Sequence, residues 1–205
     1  NHKDPDVTAV IKYALSRGLV VSDFWKFKLG TCTTGRYRRR LIIPSHDSEG
    51  ELNYYVARAI DENPRKYINA KVSKKNIIFN EIYLDWSKEI TIVEGPMDLV
   101  KSGENSTCIL GSSLNESYLL FKKLVKNQTP VLLALDPDII EKSHNIAKRL
   151  DEYGVNVKMI DITGYSDVGE MPQGKFQELK LKAFNWISQQ RLLCKINRIK
   201  SGSIF

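Results

Sequence analysis

Residues 89–98 read Glu-Ile-Thr-Ile-Val-Glu-Gly-Pro-Met-Asp. The run Ile90–Val93 is β-branched and mainly apolar, the composition of a buried parallel strand. Glu94 arrives where that strand should end. Gly95 permits a tight turn, and Pro96 suits the first turn of a helix. The order is strand, carboxylate, turn, helix, and open α/β sheets place ligand groups at the carboxyl ends of their strands. Taken alone, Glu94 reads first as a cap on the following helix.

Residues 129–138 repeat the design: Thr-Pro-Val-Leu-Leu-Ala-Leu-Asp-Pro-Asp. An apolar run over 131–135 ends in two acids one residue apart. Alternation in an extended segment points Asp136 and Asp138 the same way, and Pro137 disfavours helix at Asp136. Two like charges on one face repel unless a cation lies between them. An Asp-Pro-Asp turn is the plainer reading of either acid. Two acid-ended strands in one sheet point instead to a metal site.

Glu94-Gly95 with Asp98, followed by Asp136-Pro137-Asp138, resembles the TOPRIM signature, an acidic Glu…Asp-x-Asp metal site found in bacterial-type primases, topoisomerases and some nucleases. The rest of the chain, from about 7 to 184, is most similar to the RNA polymerase domain of bacterial-type (DnaG-like) and bacteriophage primases. Ser16-Arg17-Gly18-Leu19 followed by Phe27-Lys28-Leu29-Gly30 resembles the entry to that domain. Arg40 before Leu41-Ile42-Ile43-Pro44, then Arg58, then Lys66-Tyr67-Ile68-Asn69 match its cationic phrases in order. Ile109-Leu110-Gly111-Ser112 is similar to its glycine-containing loop, and Asp167 and Glu170 fit the ends of its Asp-Pro-Asp-Glu loop. The family usually carries a further Lys after the next Phe, but here Phe79 is followed by Asn80 and Glu81, so Lys74 or Lys75 is expected to substitute.

The resemblance implies a DNA primase core that joins ribonucleoside triphosphates on a single-stranded DNA template with Mg2+ or Mn2+, beside a replicative helicase. It implies direct metal contacts for Asp136 and Asp138, and for Glu94 either a metal contact or the role of base. It implies a further metal-associated carboxylate at Asp167, for which a surface loop acid is the alternative reading. Asp98, Gly95 and Gly111 support the site from behind. Arg40, Arg58, Lys66, Asn69, Lys74 and Lys75 would hold triphosphate or template. Small size and an abrupt basic end look phage-like, and the compartment is then a bacterial cytoplasm. Such primases choose start sites through an amino-terminal zinc domain, of which this sequence shows none, so weak isolated activity is expected. Two alternatives stay open: a TOPRIM-type nuclease, and a non-catalytic nucleic-acid-binding subunit in which the acids are structural.

The bulk properties agree with a polyanionic partner. Over 205 residues, 31 Lys and Arg face 24 Asp and Glu, a formal charge of +7, and such a surplus favours nucleic acid. Cys32, Cys108 and Cys194 form no Cys-x-x-Cys pair, which argues against a zinc knuckle or a disulfide framework and for a reducing compartment. No apolar run is long enough to span a membrane. His2, His46 and His144 lack ligand spacing and read as surface residues.

The expected fold class is α/β: a TOPRIM-like parallel sheet flanked by helices, preceded by a mixed α+β basic subdomain. The expected division is 1–87 for the basic subdomain, 88–172 for the metal-binding subdomain and 173–205 for a helical tail. Asp6 is expected to cap a first helix that ends at Gly18, and Ser22 to open a second. A helix is expected over 141–153 with Ile146, Leu150 and Tyr153 facing inward. In the tail, Trp186, Ile187, Leu192 and Leu193 would pack on the core or on a helicase, ahead of the cations Arg191, Lys195, Arg198 and Lys200.

Overall fold

Two sheets carry the chain, and the strand ends of the second position the acids. The structure is a computed structural model that describes residues 3–172 and 174–187. The basic tail at Arg191, Lys195, Arg198 and Lys200, together with Leu192, Leu193, Cys194 and His2, lies outside the described residues.

Helix α1 spans Pro5–Ser16 and buries Val10 and Ala14. Its cap is Asp4, whose carboxylate accepts from the Asp6 and Val7 amides at 2.8 and 3.3 Å. The expected cap, Asp6, is buried and paired instead with Arg38 and Arg39. Gly18, at φ +81°, follows the helix as expected. Helix α2, Val21–Lys26, is opened by Asp23, which accepts from the Val20 amide at 2.8 Å, so Ser22 is not its cap.

Strands β1 (Arg40–His46), β2 (Leu52–Ala59) and β3 (Tyr67–Asn69) form an antiparallel sheet in that order. The Asp47 carboxylate closes the first hairpin by accepting from the Glu49 and Glu51 amides. The register fixes which side chains share a face. Leu41 lies opposite Arg58, Ile43 opposite Val56, Val56 opposite Asn69 and Arg58 opposite Tyr67. Leu41, Ile43 and Val56 belong to the core, so Arg58, Tyr67 and Asn69 share the inner face. Arg40, paired with Ala59, has the opposite parity and lies on the outer face with Ile42 and Ala57.

The second sheet follows from β4 (Ile90–Val93), α3 (Pro96–Ser102), β5 (Ser106–Cys108), α4 (Leu119–Asn127), β6 (Val131–Ala134), α5 (Ile140–Glu152), β7 (Val157–Met159), α6 (Lys175–Lys180) and β8 (Phe184–Asn185). Its strand order is β5-β4-β6-β7-β8, with β5, β4, β6 and β7 parallel and β8 antiparallel at the edge. β4 and β6 are buried throughout, Thr91 included, as central parallel strands between two covered faces should be. Ile90, Ile92, Val131 and Leu133 face a cluster with Leu124 of α4 and Ile146 and Leu150 of α5. Val93, Leu132 and Ala134 face the opposite way, into a cluster shared with Leu41, Ile43, Tyr54, Val56 and Phe79. The two sheets therefore share one core.

Several expectations fail for long-range reasons. The segment after 173 is not one helix: α6 has six residues, and β8 then pairs with β7. This seats Trp186 in the core, where its Nε1 donates to His144 Nδ1 at 3.1 Å. His144, expected at the surface, is buried. Tyr153 is 49% exposed, although its ring edge meets Phe121.

Candidate metal centre

The register Val93 opposite Ala134 brings the ends of β4 and β6 to the same edge of the sheet. Glu94 leaves the first strand there, and Asp136 and Asp138 the second. One carboxylate oxygen from each of Glu94, Asp136 and Asp138 lies within 4.8 Å of the others. Asp138 sits in a 3-10 turn, Pro137–Ile139, that runs directly into α5. Pro137 keeps Asp136 extended, so both acids of the pair reach the same spot.

Glu94 Oε2 and Asp136 Oδ1 are buried with no hydrogen-bond partner. Burial pushes the Asp136 carboxyl up to about 8, and the nearby charges of Asp98, Glu94, Asp167 and Asp138 add to the rise. Glu94 is raised by burial first and then by Asp138 and Asp98, with its side-chain contact to Asp136 and then the charge of Lys142 opposing. Buried acceptors without donors are costly. A hard divalent cation, which takes carboxylate oxygens as ligands, supplies what these atoms lack, so the residues present fit such an ion.

Glu94 does not cap α3. Gly95 occupies that position, and Asp98 reaches back to accept from the Gly95 amide at 2.9 Å. The other oxygen of Asp98 accepts from the Gly169 amide, also at 2.9 Å. Asp98 is buried, and its carboxyl is pushed up to about 6, chiefly by that burial and then by Asp167. A Cβ at Gly169 would lie 3.0 Å from Asp98 Oδ1 and 3.2 Å from Asp167 Oδ1. This close approach accounts for a glycine in the middle of the 167–170 loop. Asp167 accepts from the Glu170 amide at 2.7 Å and stands beside the three-acid cluster, outside it.

The expected cations divide. Arg58 lies on the inner face, donates to the Tyr67 hydroxyl at 2.5 Å and sits near the rings of Tyr67 and Tyr13. Its Nε and the Oδ1 of Asn69 are buried without partners. Lys66 and Lys75 are exposed. Lys74 donates to the Leu110 carbonyl at 2.6 Å, and its Nζ lies 3.9 Å from where a Gly111 Cβ would be. Arg40 does not join this wall. It is 4% exposed, and its guanidinium donates to the carbonyls of Arg36, Ala57 and Lys66. The neighbouring Arg38 and Arg39 are held by Asp6 and Asp61, so all three arginines of residues 38–40 are tied up in the fold.

No family model matches the chain. Among curated proteins it is similar to the DNA primase of Staphylococcus epidermidis, at 24% identity over 176 residues. It is likewise similar to the DNA primase of Staphylococcus aureus strain COL, at 27% identity over 153 residues. These alignments take in 78% and 66% of this chain but only 29% and 24% of those proteins, so the chain spans about a quarter of their length. Among solved structures it superposes on a DnaG primase catalytic domain bound to single-stranded DNA with a TM-score of 0.74. That match covers 90% of this chain and 74% of the other, at 16% identity. The zinc-binding and RNA polymerase domains of Aquifex aeolicus primase match at a TM-score of 0.70 and 22% identity, over 86% of this chain and 56% of that one.

The fold is that of a DnaG-like primase core.

Within this DnaG-like core, the position after Phe79 is closed to any ligand role. Asn80 is buried at φ +64° and donates to the Ser106 carbonyl. Glu81 is buried against Lys123. Three cations near the cleft were not singled out from the sequence as site residues. Arg17 pairs with Glu170 at 3.2 Å, linking α1 to the 167–170 loop. Lys101 donates to the Met171 carbonyl at 2.9 Å. Lys142 donates to Ser112 Oγ at 3.0 Å. Helical spacing carries the signal for two of them: Lys101 follows Asp98 by three residues and Lys142 follows Asp138 by four, so each shares a face with an acid.

Proposed function

We propose that the chain is the catalytic core of a DNA primase, which joins ribonucleoside triphosphates into short RNA on a single-stranded DNA template. The observation that carries this reading is the convergence of Glu94, Asp136 and Asp138 at adjacent strand ends in a DnaG-like fold, together with Arg58 on the inner face of the first sheet.

In this reading Asp136 and Asp138 hold Mg2+ or Mn2+, and Glu94 either completes that set or takes the proton of the attacking hydroxyl. The ion, when bound, neutralises charge that develops on the attacking and leaving oxygens. Asp98 binds no substrate. It fixes the turn that carries Glu94 and clamps it to the loop of Asp167, which adds negative charge beside Asp136. With Lys66, Lys74 and Lys75, Arg58 and Asn69 meet triphosphate or template phosphates, Arg58 through its guanidinium and Asn69 through its side-chain amide N–H. Arg40 acts through the fold, by holding the Lys66 carbonyl just ahead of β3. A replicative helicase is the expected partner, and a bacterial cytoplasm, its own or a phage host's, the expected compartment.

Labelled single-stranded DNA incubated with the four ribonucleotides and Mg2+ or Mn2+ tests this. New short RNA supports the reading. Shortened DNA in its place makes the chain a nuclease and overturns it.

A further inference from the structure

The loop that leaves β5 runs beside Glu94, because the Ile109 amide donates to the Val93 carbonyl at 3.1 Å. Two lysines donate to the residues on either side of Gly111 in this loop. Lys74, from the first half of the chain, holds the Leu110 carbonyl, and Lys142, from the first turn of α5, holds Ser112 Oγ. Between them Gly111 has no side chain, and the nearest atom to its missing Cβ is the ammonium of Lys74 at 3.9 Å. Leu110 takes a left-handed φ of +55°, which a leucine adopts only when its surroundings impose it.

Both lysines are bonded only to neutral oxygens. Lys88, Lys123, Lys148, Lys158 and Lys175 each pair with a carboxylate. Neither Lys74 nor Lys142 has a carboxylate within 4.0 Å among the described residues. Two ammonium groups on weak neutral acceptors, flanking a bare backbone beside a carboxylate cluster, form a seat for a compact polyanion.

We propose that Lys142, with Lys74, binds the β- and γ-phosphates of the incoming ribonucleotide and holds the pyrophosphate as it leaves. This rests on the primase reading and deepens it by assigning the leaving-group side of the cleft. In the step served, the 3′-hydroxyl oxygen bonds to the α-phosphorus. The bond from that phosphorus to the bridging oxygen breaks, and pyrophosphate departs with the electron pair. The hydroxyl proton passes to Glu94 or to solvent. Lys142 swings from Ser112 to a phosphate oxygen, so the loop is the resting place of the cation.

The test is calorimetric titration of inorganic pyrophosphate, with Mg2+ present, into the full chain and into Lys142→Ala, Lys142→Arg and Ser112→Ala. Circular dichroism confirms that each is folded. Loss of one charge-assisted contact should weaken pyrophosphate about ten- to hundredfold in Lys142→Ala. Lys142→Arg and Ser112→Ala should stay near wild type. Wild-type affinity in Lys142→Ala, no pyrophosphate binding by the wild type, or an equal loss in Ser112→Ala would overturn the proposal, the last by making Lys142 a pin for the loop. Where primers are made, Lys142→Ala should raise the KM for ribonucleotide and leave that for template unchanged. Lys142-dependent pyrophosphate binding by a chain that adds no ribonucleotides would sink the primase reading and keep the phosphate seat.

Discussion

Glu94 is free to meet a ligand because Asp98 caps α3 in its place. The same carboxylate reaches Gly169, where a Cβ would meet it at 3.0 Å. Gly169→Ala is therefore expected to cost about 1–3 kcal/mol through overpacking, read as a lower midpoint in urea. A midpoint equal to wild type would show that the loop yields. Asp136 sets a second expectation. Its folded pKa of about 8 lies above the ordinary 3.8. A raised acid contributes stability that is present below its unfolded pKa and lost as pH rises through the folded one. A divalent ion must displace that proton. Stabilisation by Mg2+ should thus be small near about pH 6 and grow toward about pH 9, measured as the rise in Tm. A rise that shrinks with pH would contradict the arrangement. Both carboxylate runs were legible from residues alone, since each ends an apolar strand. The service of Asp98 to Gly169 was not, because the two are 71 residues apart.

At the scale of elements, the pleat of the first sheet separates two arginines that look equivalent in the sequence. Arg58 shares a face with Tyr67 and Asn69, whereas Arg40 shares one with Ile42 and Ala57. Arg40→Ala should lower stability by about 1–3 kcal/mol, since it leaves buried carbonyls without their donor. Arg58→Ala should leave stability within about 1 kcal/mol and weaken binding of single-stranded DNA. Denaturant melts and a fluorescence titration check the pair, and reversed phenotypes would show that the faces are misassigned. Strand positions were readable because composition fixes them locally. Helix starts were less so: Asp4 and Asp6 are both able caps, and the choice is made by Arg38 and Arg39 more than 30 residues away. The same holds for His144, whose burial depends on Trp186 and on an edge strand of only two residues.

For the whole molecule, a parallel sheet flanked by helices was legible in the order of motifs. The core it shares with the first sheet was not, because it depends on Val93, Leu132 and Ala134 facing that sheet. Removing residues 1–87 would expose that apolar face, and residues 88–205 alone are expected to fail to fold cooperatively. A sharp, reversible transition from that fragment would contradict a shared core. The net charge of +7 overstates the free cation surface near residues 36–40, where Asp6 and Asp61 hold Arg38 and Arg39.

The most direct measurement supplies an RNA primer already annealed to a DNA template, so that start-site choice plays no part, and follows ribonucleotide addition in Mg2+ or Mn2+. Wild type should extend the primer. Asp136→Asn, folded by circular dichroism, should lose extension by at least about a hundredfold. Extension by Asp136→Asn at the wild-type rate would remove the three-acid cluster from the chemistry and with it the central claim.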